Sequence, residues 1–338
     1  MNMRANSWLL GSLLLLSPLS AGWCASIGTV NQLVIFGDSL SDDGNALYLE
    51  NEYKNIFGQY PSGVPVPIPP NYTYGKFTDG PDTTPATSAP TGLWIDQLAS
   101  KMGLSQPQAS YSGGTNYATG GAQTGFNSSF PAGIPYVGDQ LAWFEGSHLT
   151  GIPANALYVF WAGADDIFAG NSGTTAANNI ANYISTLHGM GAQYFLWLNL
   201  PNLGPGFQAF DTQYAADLAA LLNSGIDVVG VNVNALFAAI LANPSAYGFT
   251  DTSDPAWCGA GALPNCATNN PNNFLFWDGT HPTTAADALV AQLAFDDIEG
   301  IPPVTSVPEP ADALLLCSGI GSIWFLSRKK RRAGCDSR

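Results

Sequence analysis

A serine hydroxyl is a weak nucleophile at neutral pH. It needs an imidazole to take its proton and a carboxylate to hold that imidazole in one tautomer. The chain contains three histidines. His148 lies in a Gly/Ser/Thr stretch with no evident partner, and His188 closes a helical pattern before Gly-Met-Gly, where terminal carbonyls are the natural partners. His281 differs, because Asp278 precedes it by three residues within Trp277-Asp-Gly-Thr-His-Pro282. A turn at that spacing lays a carboxylate beside an imidazole, so one short loop supplies both a base and its orienter. Ser39 follows the apolar run Gln32 to Phe36 and the pair Gly37-Asp38. Taken alone, a serine at the end of a strand reads as the N-cap of a following helix.

These residues need a scaffold that brings positions more than two hundred residues apart together. QLVIF (32–36), ALYVFW (156–161), YFLWLNL (194–200) and 227–232 read as buried strands, with a shorter strand-like patch at 115–118. Helical patterns fall at 92–102, 175–189, 208–222, 235–243 and 285–295. Residues 59–90 and 245–273 are dense in Pro, Gly, Ser, Thr and Asn and read as loop-rich insertions. Apolar strands alternating with helices predict an α/β fold, a parallel sheet covered by helices on both faces. Ligands in such sheets bind beyond the carboxyl ends of the strands, and each polar motif here ends an apolar run or lies in a loop.

Of the ten Lys and Arg in the 338-residue chain, Arg4 lies near one end and six cluster from Arg328 to Arg338, which leaves only Lys54, Lys76 and Lys101 in the body. The net charge of -15 is therefore understated for the body. A nucleic-acid protein needs a basic face, so nucleic acid is excluded as a partner. No cofactor or metal is implied: the histidines are too few and too separated for a typical metal site, and no nucleotide fingerprint is present. Met1–Arg4, the apolar run 8–19 and the small residues 20–26 read as a signal peptide over about residues 1–25, with cleavage after Ala21, Gly22 or Ala25. Cys258 and Cys266, eight residues apart, suit a local disulfide in an oxidising compartment.

Five segments, in order, resemble the sequence blocks of the GDSL (SGNH-hydrolase) lipase/esterase family: Val34 to Asn45, Gly114 to Ala122, Tyr158 to Ile167, Asn199 to Pro205 and Asp278 to Pro282. The resemblance implies a three-layer flavodoxin-like domain over 27–305 and hydrolysis of a small-molecule, lipid or sugar ester through an acyl-serine. Ser39 matches the nucleophile, with Asp278 and His281 completing the triad. The Ser39 amide and a glycine of the second block, Gly120 in preference to Gly121, match oxyanion donors. The third block departs from the family. Where it carries Asn, an amide donor to the oxyanion, this chain carries Asp165, and an ionised carboxylate only accepts. A binding protein that keeps the fold with weakened catalysis, and a carbohydrate deacetylase, are the competing expectations. Asp42, Asp43 and Asn45 read as helix-start residues. Trp143, Phe144, Trp161, Tyr194 and Trp197 read as core, while Tyr48, Tyr53, Phe57, Tyr60, Tyr72, Tyr74 and Phe77 are candidates to line an acyl or sugar pocket.

The C-terminal Val-Pro-Glu-Pro310, the apolar 311–326 and the basic 328–332 are similar to a PEP-CTERM sorting tail (307–332) with a short transmembrane segment. That resemblance implies export from a Gram-negative cell to the envelope or medium, transient membrane contact through the tail, and an exosortase-type processing partner.

Overall fold

The computed structural model describes residues 30–62, 64–80, 92–257 and 270–300. The expected signal peptide, the sorting tail and the Cys258/Cys266 pair lie outside the described residues. Four strands, β1 (Gln32–Gly37), β2 (Ala156–Trp161), β3 (Tyr194–Leu198) and β4 (Val228–Val231), form a parallel sheet in the order β1-β2-β3-β4. On the outer side of β1 the segment 115–119 runs parallel: Ile35 N donates to Thr115 O at 3.0 Å, Tyr117 N to Ile35 O at 2.8 Å and Thr119 N to Gly37 O at 3.1 Å. Counted in chain order with this edge segment, the sheet is 2-1-3-4-5, the flavodoxin-like order. The chain leaves β1 toward one edge and returns to β2 on the other side. The crevice at that reversal lies beyond the ends of β1 and β2, next to Ser39 and Gly163.

Eight helices accompany these strands among the described residues: α1 (Asn45–Phe57), α2 (Trp94–Lys101), α3 (Val137–Ser147), α4 (Ala164–Phe168), α5 (Gly173–Gly189), α6 (Pro205–Asn223), α7 (Val233–Ala242) and α8 (Thr284–Glu299). Right-handed crossovers put α3, α5 and α6 on one face and α2 and α8 on the other. The side chains follow the period of two. Phe36 meets Phe144 of α3 edge-on at 5.7 Å and stacks on Phe160 at 5.1 Å, and Trp197 meets Tyr214 of α6. Trp161 points the other way, onto Trp94 of α2 at 5.4 Å. Every residue of β2 is buried, which explains why the strands read as unbroken apolar runs.

The structure departs from the sequence reading in one insertion and in three helices. The 245–273 region is not all loop: β5 (Asp251–Pro255) pairs with β6 (Phe274–Phe276) in a small parallel ribbon that leads into the Asp278 loop. Helices α1, α3 and α4 also escape the apolar-period reading. The exposed side of α1 carries Tyr48, Tyr53, Ile56 and Phe57, and α4 has only five residues.

Gly37 closes β1 where a side chain has no room, since a Cβ there would lie 2.4 Å from Trp161 O. Gln140 of α3 clamps the same residue, accepting from Gly37 N at 3.0 Å and donating to Gly37 O at 2.8 Å. Gly37→Ala must therefore push β1 away from β2. Urea unfolding is expected to show a loss of about 2 kcal/mol or more, the scale of overpacking a dense core.

Candidate active site

Ser39 stands two residues beyond β1. Its Oγ lies 2.8 Å from Nε2 of His281, and Nδ1 of His281 lies 2.7 Å from Oδ2 of Asp278. The three residues read from the sequence as a catalytic set are thus joined in one hydrogen-bonded chain. The loop between β6 and α8 is a tight turn that does what its spacing suggested: Asp278 Oδ1 accepts from the amides of Thr280 at 3.0 Å and His281 at 2.9 Å, and Trp277 N donates to His281 O at 2.8 Å. Burial opposes the charge on Asp278. The adjacent His281, these amides and the Tyr72 hydroxyl outweigh it, so the carboxyl is held below the usual range.

Tyr72 and Phe77, grouped by the sequence with pocket-lining aromatics, hold the acid–base pair instead. The Tyr72 hydroxyl donates to Asp278 Oδ2 at 2.7 Å, the same oxygen that faces His281. Burial and the Asp278 charge push the Tyr72 phenol well above its ordinary value, so it remains a donor. Phe77 stacks on the His281 ring, centroids 5.0 Å apart and planes at 27°. Thr78 Oγ1 donates to Pro282 O at 3.1 Å, and Asp79 accepts from Thr284 N. Residues 72–79 are therefore a strap across the loop that carries the imidazole. The only sequence signal for this role was a concentration of aromatics in a segment rich in proline and glycine.

The turn after Ser39 is tied to the edge segment by buried polar groups. Asp42 accepts from the amides of Gly44 (2.8 Å), Asn45 (2.7 Å) and Ala46 (3.0 Å) at the start of α1, the helix-start role expected of it. It also accepts from Gly120 N at 2.8 Å. Burial pushes Asp42 up to about 7 against these four donors. Asn45 donates to Asn116 O and Ala118 O, both at 2.8 Å, and Asn116 donates to Ser41 O at 2.6 Å and Asp43 Oδ2 at 3.0 Å. Asn45 and Asp43 thus reach well beyond the start of their own helix.

The amide of Gly120, the glycine preferred from the sequence as an oxyanion donor, donates to Asp42. The neighbouring Gly121, at φ 79° in a turn that favours glycine, keeps its amide without an acceptor among the described residues, as does Ser39. Asp165 lies in the first turn of α4. Burial pushes it up to about 6, with the His281 charge working downward and Asp166 upward. Asp166 itself clamps the chain just after the second block, accepting from Thr124 N at 2.7 Å and Thr124 Oγ1 at 3.0 Å. Asp38 is buried with one oxygen unpartnered; burial and the Asp165 charge raise its pKa well above the ordinary value. His148 bonds Phe144 O at the end of α3 and His188 sits in the last turn of α5, neither in contact with the triad. Phe144, Trp161 and Trp197 are core, with Trp143 and Tyr194 packed at its margin.

Residues 33–294 match the family described as GDSL-like Lipase/Acylhydrolase. The chain belongs to this family. It is 26% identical over 300 residues to a thermolabile hemolysin of Vibrio parahaemolyticus, covering 78% of this chain and 62% of that one. It is 25% identical over 352 residues to the esterase EstA of Pseudomonas aeruginosa (89% and 52%), and 26% over 341 residues to GDSL esterase/lipase 6 of Arabidopsis thaliana (83% and 90%). The chain therefore spans half to two thirds of the length of the bacterial relatives. Among solved structures, the lipase/acylhydrolase of Enterococcus faecalis aligns over 80% of this chain and 96% of that one at 14% identity, with a TM-score of 0.40.

Tyr72→Phe removes a donor to an ionised carboxyl in this GDSL-like fold, a bond worth about 1.5–3 kcal/mol. Because the Asp278 pKa is depressed in the folded chain, this stabilisation is present at pH 7 and is lost as pH falls through the depressed native value. Unfolding followed from pH 7 down to about pH 2 is expected to show the gap between wild type and variant narrowing at the acid end of that range. A gap that does not change with pH would show that the lost stability is packing alone.

Proposed function

We propose that the protein is an exported serine ester hydrolase that cleaves carboxylic esters through an acyl-Ser39 intermediate. The observation that carries this reading is the Ser39–His281–Asp278 chain, with links of 2.8 and 2.7 Å. His281 Nε2 takes the Ser39 proton as Oγ bonds to the ester carbonyl carbon. The carbonyl π electrons move to oxygen, giving a tetrahedral oxyanion that faces the unengaged amides of Ser39 and Gly121. Collapse breaks the bond to the alcohol, which leaves with the proton held on His281. Water, deprotonated by the same nitrogen, then releases the acid and restores Ser39. Asp278 stays ionised throughout and fixes the proton of the neutral imidazole on Nδ1, leaving Nε2 as the base.

Asp165 is the tuning element in this scheme. Below about 6 it is neutral and has an O–H to offer the oxyanion; above that value it carries a charge of the same sign. Export rests on the signal-like N-terminus, and delivery to the envelope with processing by an exosortase-type enzyme rests on the tripartite tail.

Hydrolysis of p-nitrophenyl acetate and longer acyl homologues tests the reading. Ser39→Ala is expected to lose at least ~10³-fold in kcat, as for other triads. A serine-directed phosphonate is expected to label the wild type and leave the variant unlabelled. Hydrolysis that persists in Ser39→Ala, or a folded wild type that neither turns over nor takes the label, would reject it. Asp165→Asn is expected to raise turnover at pH 8 by about tenfold or more, since one oxyanion donor is worth about 2.7–4 kcal/mol. Equal rates for the two proteins from pH 5 to 9 would remove Asp165 from the oxyanion account.

A further inference from the structure

A cavity of about 350 Å³ lies between α1, the 74–76 part of the strap and the 106–112 loop. It contains none of Ser39, Asp278 or His281, so it stands independently of the esterase reading. Its lining is chemically selective. Tyr48 and Tyr74 supply aromatic surface at 42% and 36% exposure, and Asp43, Asn51, Gln108 and Ser112 supply polar groups. The hydroxyls of Tyr48, Tyr74 and Ser112 and the side-chain amide of Gln108 make no hydrogen bond within the described residues.

The walls are held before any ligand arrives. Tyr48 stacks on Tyr111 with centroids 4.6 Å apart and planes at 10°, and Tyr111 packs on Trp143 at 4.8 Å. Asn51 Oδ1 accepts from Tyr60 OH at 3.0 Å, which leaves its amide nitrogen for a ligand. Asp43 is fixed by Lys76 Nζ at 2.9 Å and by Asn116 at 3.0 Å. Such prior fixing reduces the entropy lost on binding.

The same chemistry excludes other occupants. The ammonium of Lys76 is matched by Asp43 at 2.9 Å and Asp96 at 2.6 Å, and the body is strongly acidic, so an anion finds no unmatched positive charge. An acyl chain would strip water from amides and hydroxyls and return no hydrogen bond, a cost of ~1–3 kcal/mol for each group so stranded. A neutral polyhydroxylated ring answers both demands. Its C–H face lies on the tyrosines, and its hydroxyls accept from the Asn51 and Gln108 amides and donate to the Gln108 amide oxygen and the Ser112 hydroxyl. We infer that this cavity is a carbohydrate-binding site, separate from the triad, that takes a neutral sugar unit of an oligo- or polysaccharide.

Saturation-transfer NMR and calorimetry on the full chain carrying Ser39→Ala, so that no ester chemistry intervenes, test this with cellotriose, xylotriose, maltotriose and, as an apolar probe, octanoate. At least one trisaccharide is expected to bind with a millimolar or tighter Kd, and that affinity to fall about tenfold when Tyr48→Ala or Gln108→Ala is added. Circular dichroism and the melting temperature establish that each variant is folded. Gln108, whose side chain makes no hydrogen bond among the described residues, serves if the tyrosine variant does not fold. No trisaccharide binding at about 10 mM, octanoate binding in their place, or sugar affinity unchanged in a folded variant would each overturn the inference.

Discussion

The active-site end of this molecule depends on a knot of buried polar groups between the turn after β1 and the edge segment at 115–120. Asp42, Asn45 and Asn116 are almost wholly removed from water. Each unpartnered buried amide or carboxyl would cost on the order of 1–3 kcal/mol, so the loops must lie where donors and acceptors match. Asn45 spans both strand-end loops by donating to Asn116 O and Ala118 O while accepting from Tyr111 N and Ser110 Oγ. Asp42 collects the start of α1 and the amide of Gly120 in one carboxyl. The turn that carries Ser39 and the glycine turn are thereby fixed to each other through side chains rather than through strand pairing. Gly120 makes that joint through its amide, whereas the Gly121 amide has no acceptor among the described residues.

A second set of constraints reaches the imidazole from the opposite end of the chain. The Asp278 loop organises itself through its own amides, and the 72–79 strap organises it from outside. Phe77 touches both parts: it stacks on His281, and a Cβ on Gly120 would lie 2.7 Å from its ring. One aromatic ring therefore sets the spacing between base and glycine turn. The carboxyls divide by environment, as in sites where like groups take unlike roles. Asp278 is surrounded by donors and kept ionised, whereas Asp38 and Asp165 lie where burial favours the neutral form.

The sheet was legible in the sequence because its strands are buried on both faces, and such strands appear as uninterrupted runs such as ALYVFW. The Asp278/His281 pair was legible because a three-residue spacing is a local property. What the sequence hid is what depends on distant contacts. Nothing local distinguishes the amides of Gly120 and Gly121; a carboxylate 78 residues earlier takes the first. Tyr72 and Tyr74 look alike in a proline-rich stretch, yet one is buried against Asp278 and the other faces the cavity beside α1. Helix α1 was hidden for a related reason, since its aromatic outer side masks the apolar period that marks an ordinary surface helix.

The order of the parts along the chain has a consequence in time. Ser39 emerges with the first strand, but its hydrogen-bond partner His281 lies 242 residues later, beyond β4 and after the ribbon of β5 and β6. Ser39 is therefore present, without its histidine partner, while the whole sheet is being synthesised. An N-terminal fragment of any length short of His281 carries a serine without a proton acceptor. The hydrogen-bonded chain from Ser39 to Asp278 closes only when the last loop docks under the strap, so on the esterase reading proposed above a chain still being made has no means of attacking the esters around it.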